Sequence, residues 1–252
     1  MLNSITYGSS LLCLLLSIAK PIHALDGGIE APTNAAPYAA ALLSSDGDFH
    51  KCGGVLITPQ TILTAASCVQ NETSSSLKAR VGSSDRTTSG TVVNLDEIIQ
   101  HPQYSTKTRD YDLALLSLRE AAPDNVPLAV IGDFSAAIGS GVTMYGWGLT
   151  NYSDTEFPKK LQQLPAVGIT AEWCADEWKN IHAISNRMVC DWPPTEKAAW
   201  EGDKGGPVVN VLDGSVVGLI SFSIYDTNLK KAVPDVHTNL TYFKNWIMDN
   251  AI

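Results

Sequence analysis

A glycine-rich turn in the C-terminal part of the chain is the stretch best suited to chemistry. Residues 202–207 read Gly-Asp-Lys-Gly-Gly-Pro and lead into the apolar run 208–212. Flanking glycines let backbone N–H groups converge on one point, where they can stabilise an oxyanion beside a nucleophile. Lys204 at the apex could be a Schiff-base nucleophile, or its charge could simply stay in water. The turn alone favours the solvated lysine.

Two further stretches place polar residues at the ends of apolar segments. Residues 64–68 read Thr-Ala-Ala-Ser-Cys, and Asp112 directly precedes the apolar run 113–116. Ser67 and Lys204 have the residue types of a Ser–Lys dyad. The oxyanion donors, however, belong to the turn that carries Lys204, so Ser67 would attack from a place that those donors do not serve. A hydrolase that uses Ser67 and Lys204 is therefore an alternative that this geometry disfavours.

Together the three stretches resemble the chymotrypsin-like (trypsin-fold) serine proteases. That family carries histidine after Thr-Ala-Ala, aspartate before an Ala-Leu-Leu run, and serine at the apex of Gly-Asp-Ser-Gly-Gly-Pro. This chain has Ser67, Asp112 and Lys204 at the three positions. The family's reaction needs an imidazole to take the serine proton and an acid to orient that imidazole. The resemblance therefore implies the fold but no enzyme, with three vestigial triad positions and no catalytic residue.

The predicted fold class is all-β. The resemblance runs from about Leu25 to the C-terminus and implies two six-stranded antiparallel β-barrels with a C-terminal α-helix. Short apolar runs punctuated by glycine and proline recur along the chain, as expected for such strands. A helical spacing relates four residues near the C-terminus: Tyr242, Phe243, Trp246 and Ile247. The pattern alone would equally fit a β-sandwich.

The first 24 residues are predicted to be a signal peptide. Residues 9–19 form an apolar run too short to span a bilayer, and residues 21–24 end in a small residue that suits signal peptidase. The predicted organisation is a signal peptide at 1–24 and one trypsin-like domain at 25–252. A secreted, extracellular protein follows from this organisation.

Charge and motif content disfavour several other classes of protein. The chain of 252 residues carries a formal net charge of −9, which disfavours nucleic acid as a partner. Its five histidines show no metal-ligand spacing, and the sequence has no phosphate-binding loop and no Cys-x-x-Cys motif. We therefore expect no metal, no cofactor, no membrane association and a monomer.

The cysteines suit a secreted protein. Cys13 leaves with the predicted signal peptide, and the remaining four cysteines could pair in three ways. The resemblance selects Cys52–Cys68 and Cys174–Cys190. Both bonds are expected to be structural rather than redox-active.

Two further expectations concern the ends and the surface of the mature chain. The resemblance implies that Leu25 becomes the N-terminus and that its α-ammonium inserts beside Asp203. Sequons for N-glycosylation begin at three positions, Asn71, Asn151 and Asn239. Asn239 stands near the predicted helix start, where helix capping is a competing role.

Two residues of the cleft have alternative placements. The family's trypsin-like members select basic side chains with an acid at the position that Ala198 holds here. Asp235 stands where the family usually has glycine, so its carboxylate lies either on the pocket floor or on a solvated turn. Lys204 either reaches across the cleft to Asp112 or Ser67, or faces solvent.

A secreted protease fold with altered triad positions most simply binds another protein. The chain resembles the glucanase inhibitor proteins that oomycete plant pathogens secrete to bind host endo-β-1,3-glucanases. This resemblance implies a virulence effector of the host apoplast that suppresses the release of glucan elicitors and plant defence. Alternatives are a decoy for host protease inhibitors, a carbohydrate-binding protein, and the hydrolase described above. The predicted partner-binding rim is aromatic and comprises Trp192, Trp200, Phe222 and Tyr225.

Overall fold

The computed structural model describes residues 25, 28–150, 155–193, 197–226 and 231–252. Two antiparallel β-barrels and a C-terminal helix confirm the predicted fold class. The predicted signal peptide and the sequon residue Asn151 lie outside the described residues. Within these ranges, no helix combines the length and the apolar character that crossing a membrane would require.

Six antiparallel strands close the first barrel. In chain order, the first strands are β1 (Ile29–Glu30), β2 (Ala39–Ser44), β3 (His50–Thr58), β4 (Thr61–Thr64), β5 (Leu77–Val81), β6 (Thr91–Gln100) and β7 (Ala114–Leu118). The barrel order is β2-β3-β4-β7-β6-β5, and β5 pairs with β2 to complete the ring. Because closure removes the free edges that a sandwich would keep, the sandwich alternative is wrong.

The second barrel closes in the same manner. The remaining strands are β8 (Gly141–Gly146), β9 (Gln162–Ile169), β10 (Met188–Trp192), β11 (Pro207–Asn210), β12 (Val216–Phe222), β13 (Tyr225–Asp226), β14 (Lys231–Ala232) and β15 (Asp235–Asn239). The order is β9-β10-β15-β12-β11-β8, and β8 pairs with β9 to close the ring. β1 adds to the outside of β9, so the segment after Leu25 runs along the second barrel.

Alternation along single strands explains how the barrels pack together. In β4 and β7, Ile62 and Leu116 pack in the core of the first barrel. Their strand neighbours Leu63 and Leu115 belong instead to a second cluster that includes Trp147. Since successive side chains point to opposite faces of a strand, these strands are buried on both sides. The barrels therefore share an apolar junction, and the cleft opens along it.

Helices occupy only short stretches of the described chain. They are α1 (Ala66–Val69), a 3-10 turn (Phe134–Ala137), α2 (Ala171–Glu177) and α3 (Leu240–Asn250).

Asn239 caps α3, because its Oδ1 accepts a hydrogen bond from the N–H of Tyr242 (3.3 Å). The Asn239 Nδ2, which would carry a glycan, donates to the carbonyl of Asn186 (3.2 Å). Capping therefore competes with glycosylation at this sequon, whereas Asn71 is exposed.

An ion pair ties the loop before β7 to the second barrel. Arg187 donates from Nε to Asp110 Oδ1 (2.7 Å) and from Nη2 to Asp110 Oδ2 (2.6 Å), and Ser185 Oγ donates to the same carboxylate. The guanidinium also lies 4.6 Å from the centre of the Tyr111 ring. Burial alone would raise the pKa of Asp110, but the hydrogen bonds from Arg187 and Ser185 hold that pKa below its ordinary value. The bidentate pair thereby fixes the residues on either side of Asp110.

We expect Arg187→Met and Asp110→Asn each to lower the free energy of unfolding by about 2 kcal/mol, because each leaves a charge-assisted hydrogen bond unmade. Because the pKa of Asp110 is lowered in the folded chain, its stabilisation is present above the unfolded pKa of about 4 and is lost as pH falls through the folded value. Urea unfolding of the single and double variants at two pH values measures both effects.

The exposed pair Lys51–Glu72 provides the control for this cycle. Its coupling energy is expected to stay below about 1 kcal/mol, as is usual for surface ion pairs. If the coupling energy of Asp110–Arg187 were no larger than that of Lys51–Glu72, the proposed role of the Asp110–Arg187 pair would be wrong.

Candidate functional site

The turn at residues 202–207 is fixed from both barrels. Its Gly205 N–H donates to the carbonyl of Ile220 (2.8 Å), while the N–H of Gly53 in the first barrel donates to the carbonyl of Lys204 (2.8 Å). Gly205 has a φ of +76°, and a Cβ there would lie 2.2 Å from Thr64 Oγ1. Only glycine fits at this position. The backbone of Lys204 is therefore held at the junction of the barrels.

Asp112 lies buried at the base of the cleft and is bonded from both barrels. Ser67 donates its backbone N–H to Oδ1 (2.7 Å) and its hydroxyl to Oδ2 (3.0 Å). From β12, Ser221 Oγ donates to Oδ2 (2.5 Å). Burial raises the pKa of Asp112 even though these hydrogen bonds oppose the rise. Three donors therefore satisfy the carboxylate without any imidazole.

Lys204 forms neither of the pairs considered in the sequence analysis. Within the described part of the chain, its ammonium has no ion pair with Asp112 and no hydrogen bond to Ser67. The physical reason is that hydroxyl and amide donors already occupy the Asp112 carboxylate. Burial and the neighbouring Arg109 charge lower the pKa of Lys204, while Asp112 and Glu201 act in the opposite direction. The structure thus brings Ser67 and Asp112 together but keeps the lysine ammonium apart from both.

Two backbone donors remain open beside the lysine. Among the described residues, no acceptor is bonded to the N–H of Gly202 or of Lys204, although the amides of Asp203, Gly205 and Gly206 are all paired. These two N–H groups are the donors of the oxyanion site that the sequence predicts for this turn. The turn thus keeps the capacity to bind a negatively charged oxygen.

Asp203 belongs to the turn, and its side chain is fully buried. Its carboxylate accepts hydrogen bonds from the N–H of Gly148 (2.8 Å) and of Trp200 (2.9 Å). A Cβ on Gly148 would lie 2.4 Å from this carboxylate, so a side chain there would displace the acid. Burial raises the pKa of Asp203 to about 7. Leu25 is also buried, in the core of the second barrel, and its ammonium pair with Asp203 stays a prediction.

Each of the two expected cysteine pairs forms a disulfide in the structure. Cys52 on β3 bonds Cys68 on α1, and Cys174 on α2 bonds Cys190 on β10. Each closes a loop with a sequence separation of 16, for which the chain-entropy contribution is about 3 kcal/mol. The first bond holds the segment of Ser67 against the strand that contacts Lys204.

The aromatic residues predicted for the rim differ in their surroundings. Trp192 is half-buried and stacks on the exposed Trp173, with ring centres 5.5 Å apart and planes 16° from parallel. Trp200 and Phe222 line the pocket beside Lys204. Tyr225 lies in β13, and its side chain is outside the described part of the structure. Trp192, Trp200 and Phe222 are therefore the rim residues that the structure can place.

The structure decides between the two placements of Asp235 and adds Arg109, which the sequence analysis did not single out. Asp235 is fully buried and accepts a hydrogen bond from the N–H of Ala199 (2.9 Å), so the solvated-turn interpretation is wrong. Burial and then the nearby Asp191 raise its pKa well above the ordinary value. Arg109 lines the pocket beside Lys204. No sequence pattern marks Arg109, because its place depends on the distant Arg187.

Ligand groups for a metal ion are not assembled in the described ranges. No cluster of three or more histidine, cysteine, aspartate or glutamate side chains there could hold a metal ion.

Known proteins are similar to this chain in sequence and in fold. The family model described as Trypsin matches residues 25–247. Trypsin theta of Drosophila melanogaster is 30% identical over 227 residues, covering 88% of this chain and 84% of its own length. A trypsin of Simulium vittatum is 32% identical over 207 residues (79% and 82%), and Trypsin 5G1 of Aedes aegypti is 28% identical over 229 residues (88% and 83%). The solved structure of the VesB protease of Vibrio cholerae aligns with a TM-score of 0.74 at 23% identity, covering 89% of this chain and 67% of that one, which shows the fold alone.

These relatives overturn one expectation. In the sequence analysis, the chain is predicted not to be an enzyme. This prediction is wrong, because the relatives are named as trypsins, and trypsins are proteases. The residues at the triad positions are nevertheless Ser67, Asp112 and Lys204. A panel of ester and peptide substrates therefore tests whether this chain has protease activity.

We expect a chain that begins at Leu25 to be more stable above pH 7 than one with two extra N-terminal residues. In the extended form, the raised pKa of Asp203 makes unfolding easier as pH rises from about 4, its unfolded value, to about 7. A free α-ammonium beside Asp203 removes that loss by pairing with the carboxylate. Urea unfolding of both forms at several pH values measures the difference.

N-terminal sequencing of the protein produced from the full sequence completes this test. A mature chain that begins at Lys20, or equal pH dependence of the two forms, would contradict the pairing.

Proposed function

The chain belongs to the trypsin-fold serine protease family, and from that premise we propose that it is a secreted protein that docks on a host endo-β-1,3-glucanase and inhibits it. The docking surface is the cleft together with the aromatic rim beside it. By inhibiting the glucanase, the protein would suppress the release of glucan elicitors and hence plant defence. The two disulfides support secretion, since such bonds persist in oxidising compartments.

The observation that carries the proposal is the tryptophan stack on the rim. Trp173 is 49% exposed and lies flat against Trp192, which in turn packs on the cluster around Cys174–Cys190. Aromatic side chains on a rigid base lose little conformational entropy on docking and supply much of the energy of protein interfaces. Phe222 packs against the same cluster, where it meets the buried Trp178 edge-on at 5.3 Å, and it also lines the pocket beside Lys204.

The triad positions support a binding role for the cleft as well. The Asp112 carboxylate accepts hydrogen bonds from Ser67 in the first barrel and from Ser221 in the second. These hydrogen bonds hold the two barrels together. A fold whose loops sit on such a rigid scaffold is suited to presenting a docking surface. Binding of a glucanase requires only that this surface be complementary to the partner.

Hydrolysis is a second candidate function, favoured by one observation. The N–H groups of Gly202 and Lys204 have no hydrogen-bond partner within the described ranges and remain available to an oxyanion. A broad panel of ester and peptide substrates tests this candidate. Turnover that is lost in both Ser67→Ala and Lys204→Ala would support hydrolysis by these two residues.

We expect Trp192→Ala to weaken glucanase binding by more than about 1 kcal/mol, because an anchor residue of an interface contributes at least that much. Calorimetry with a purified endo-β-1,3-glucanase measures the affinity, and release of glucan fragments measures the inhibition. Parallel arms with a Kunitz-type inhibitor and with insoluble glucan test the decoy and carbohydrate-binding alternatives.

Met248→Ala is the matched control, since it removes an exposed apolar side chain on α3, outside the rim. Its affinity for the glucanase should equal that of the unaltered chain, and thermal unfolding verifies that both variants are folded. Unchanged binding by a folded Trp192→Ala variant would refute the role of the rim. No binding of any glucanase by the unaltered chain would refute the proposed function.

A further inference from the structure

An open pocket of about 300 Å³ lies beside Lys204 in the cleft. Arg109 and Lys204 contribute positive charge to its wall, while Ile220 and Phe222 contribute apolar surface. The volume is at the lower end of the roughly 300–1,000 Å³ range of ligand sites, so it suits a single side chain rather than an extended ligand. The pocket therefore favours a group with an apolar stem and a negatively charged tip.

We propose that this pocket binds a carboxylate of a partner peptide, with Arg109 and Lys204 as the charged contacts. The inference rests on the proposed binding function, since it takes the cleft as a docking surface, and it names the chemistry of the group that enters. The carboxylate belongs either to an acidic side chain or to a peptide C-terminus. Both have the same charge and the same two oxygens.

The charges around the pocket favour an anion. Within the described part of the chain, neither Arg109 nor Lys204 takes part in an ion pair. The buried acid Asp112 acts on the charge of Lys204, but hydroxyl and amide donors already occupy its oxygens. Glu201 also lines the pocket, but it is exposed and lies at the rim in water. Two cations therefore line the pocket with one solvated acid, in a chain whose net charge is −9. The buried Asp235 bonds the amide of the lining residue Ala199, and burial raises its pKa well above the ordinary value, which favours its neutral form.

The position of Arg109 is set by the structure around it. Arg109 has a φ of +52° and Tyr111 a φ of +57°, a conformation that non-glycine residues adopt only where their surroundings enforce it. The enforcing contacts are the bidentate Asp110–Arg187 pair and the stacking of Tyr111 on His101 at 4.8 Å. Arg109 is thus presented from a fixed loop, which limits the entropy that binding must offset.

Electrostatics at Lys204 agree with this assignment. Burial first and then the Arg109 charge lower the pKa of Lys204, and the opposing effects of Asp112 and Glu201 do not cancel this fall. The open N–H of Lys204 belongs to a residue that lines the pocket and is a further donor beside the ammonium. A carboxylate placed here would gain both a counter-charge and hydrogen bonds.

Three short peptides test the proposal. One carries an internal glutamate and an amidated C-terminus, the second replaces that glutamate with glutamine, and the third has glutamine with a free C-terminal carboxylate. The second peptide has no carboxylate. We expect calorimetry or NMR titration to show that it binds at least about tenfold more weakly than one of the two carboxylate peptides. Which of the two binds better identifies the source of the carboxylate.

Variants identify the contacts. Lys204→Ala and Arg109→Ala should each weaken carboxylate binding about tenfold, and Lys204→Arg should retain most of it. Lys160→Ala is the matched control, because it removes one positive charge from an exposed residue that does not line this pocket, and its affinity should not change. Thermal unfolding verifies that each variant is folded.

The inference is overturned if the glutamine amide binds as tightly as both carboxylate peptides, or if none binds up to the limit of solubility. Equal weakening by Lys160→Ala and Lys204→Ala would also overturn it, because the effect would then follow net charge. The peptide arm uses no glucanase, so failure of glucanase binding leaves its result interpretable. A chain that binds glucanase but not carboxylates would retain the proposed function and lose only this inference.

Discussion

The carboxylate of Asp112 is the constraint on which the arrangement of the cleft depends. It is buried, and a buried acid is tolerated only when its oxygens are bonded. Its donors come from α1 in the first barrel and from β12 in the second, while Thr238 Oγ1 of the second barrel donates to its carbonyl (2.6 Å). Any rotation of one barrel against the other would leave this acid unsatisfied. The cleft therefore has one geometry rather than a range of geometries.

Around this acid, neighbouring contacts reinforce the same junction. The amide of Gly53 reaches the carbonyl of Lys204 from the first barrel, and Arg187 reaches Asp110 from the second. The junction core around Trp147 excludes water beneath these polar contacts. Polar bonds set the relative position of the barrels, and apolar packing supplies most of the free energy that holds them there.

Much of the fold could be predicted because it follows from local pattern. Apolar runs punctuated by glycine and proline gave the strands, and Phe243 and Ile247 marked the buried face of the C-terminal helix. The turn at residues 202–207 was recognisable from its glycines, which its backbone requires. Closure of the sheets into barrels came from the family resemblance, since a strand pattern contains no information about which edges meet.

The site was only partly predictable, for a different physical reason. The sequence suggested Lys204 as a partner of Asp112, yet Ser67 and Ser221 satisfy that acid. Ser221 lies on a strand more than 100 residues away in sequence, so its competition with Lys204 for the carboxylate could not be predicted. Arg109 was missed because its position follows from the remote Arg187. The sequence suited Asp235 equally to the pocket floor and to a solvated turn, because the amide that binds its carboxylate belongs to Ala199, which is distant in sequence. Long-range contacts decided each of these cases, whereas the motifs alone located only the backbone.

The bond between the amide of Ser67 and Asp112 has a consequence for how this cleft can evolve. Because the donor is a main-chain N–H, any residue except proline can supply it, whichever side chain occupies position 67. The buried acid therefore does not depend on the identity of that residue for its shortest contact with the first barrel. Mutational drift at position 67 can change the chemistry of the cleft while the scaffold stays intact. One fold can in this way move between functions by substitutions that cost it little stability.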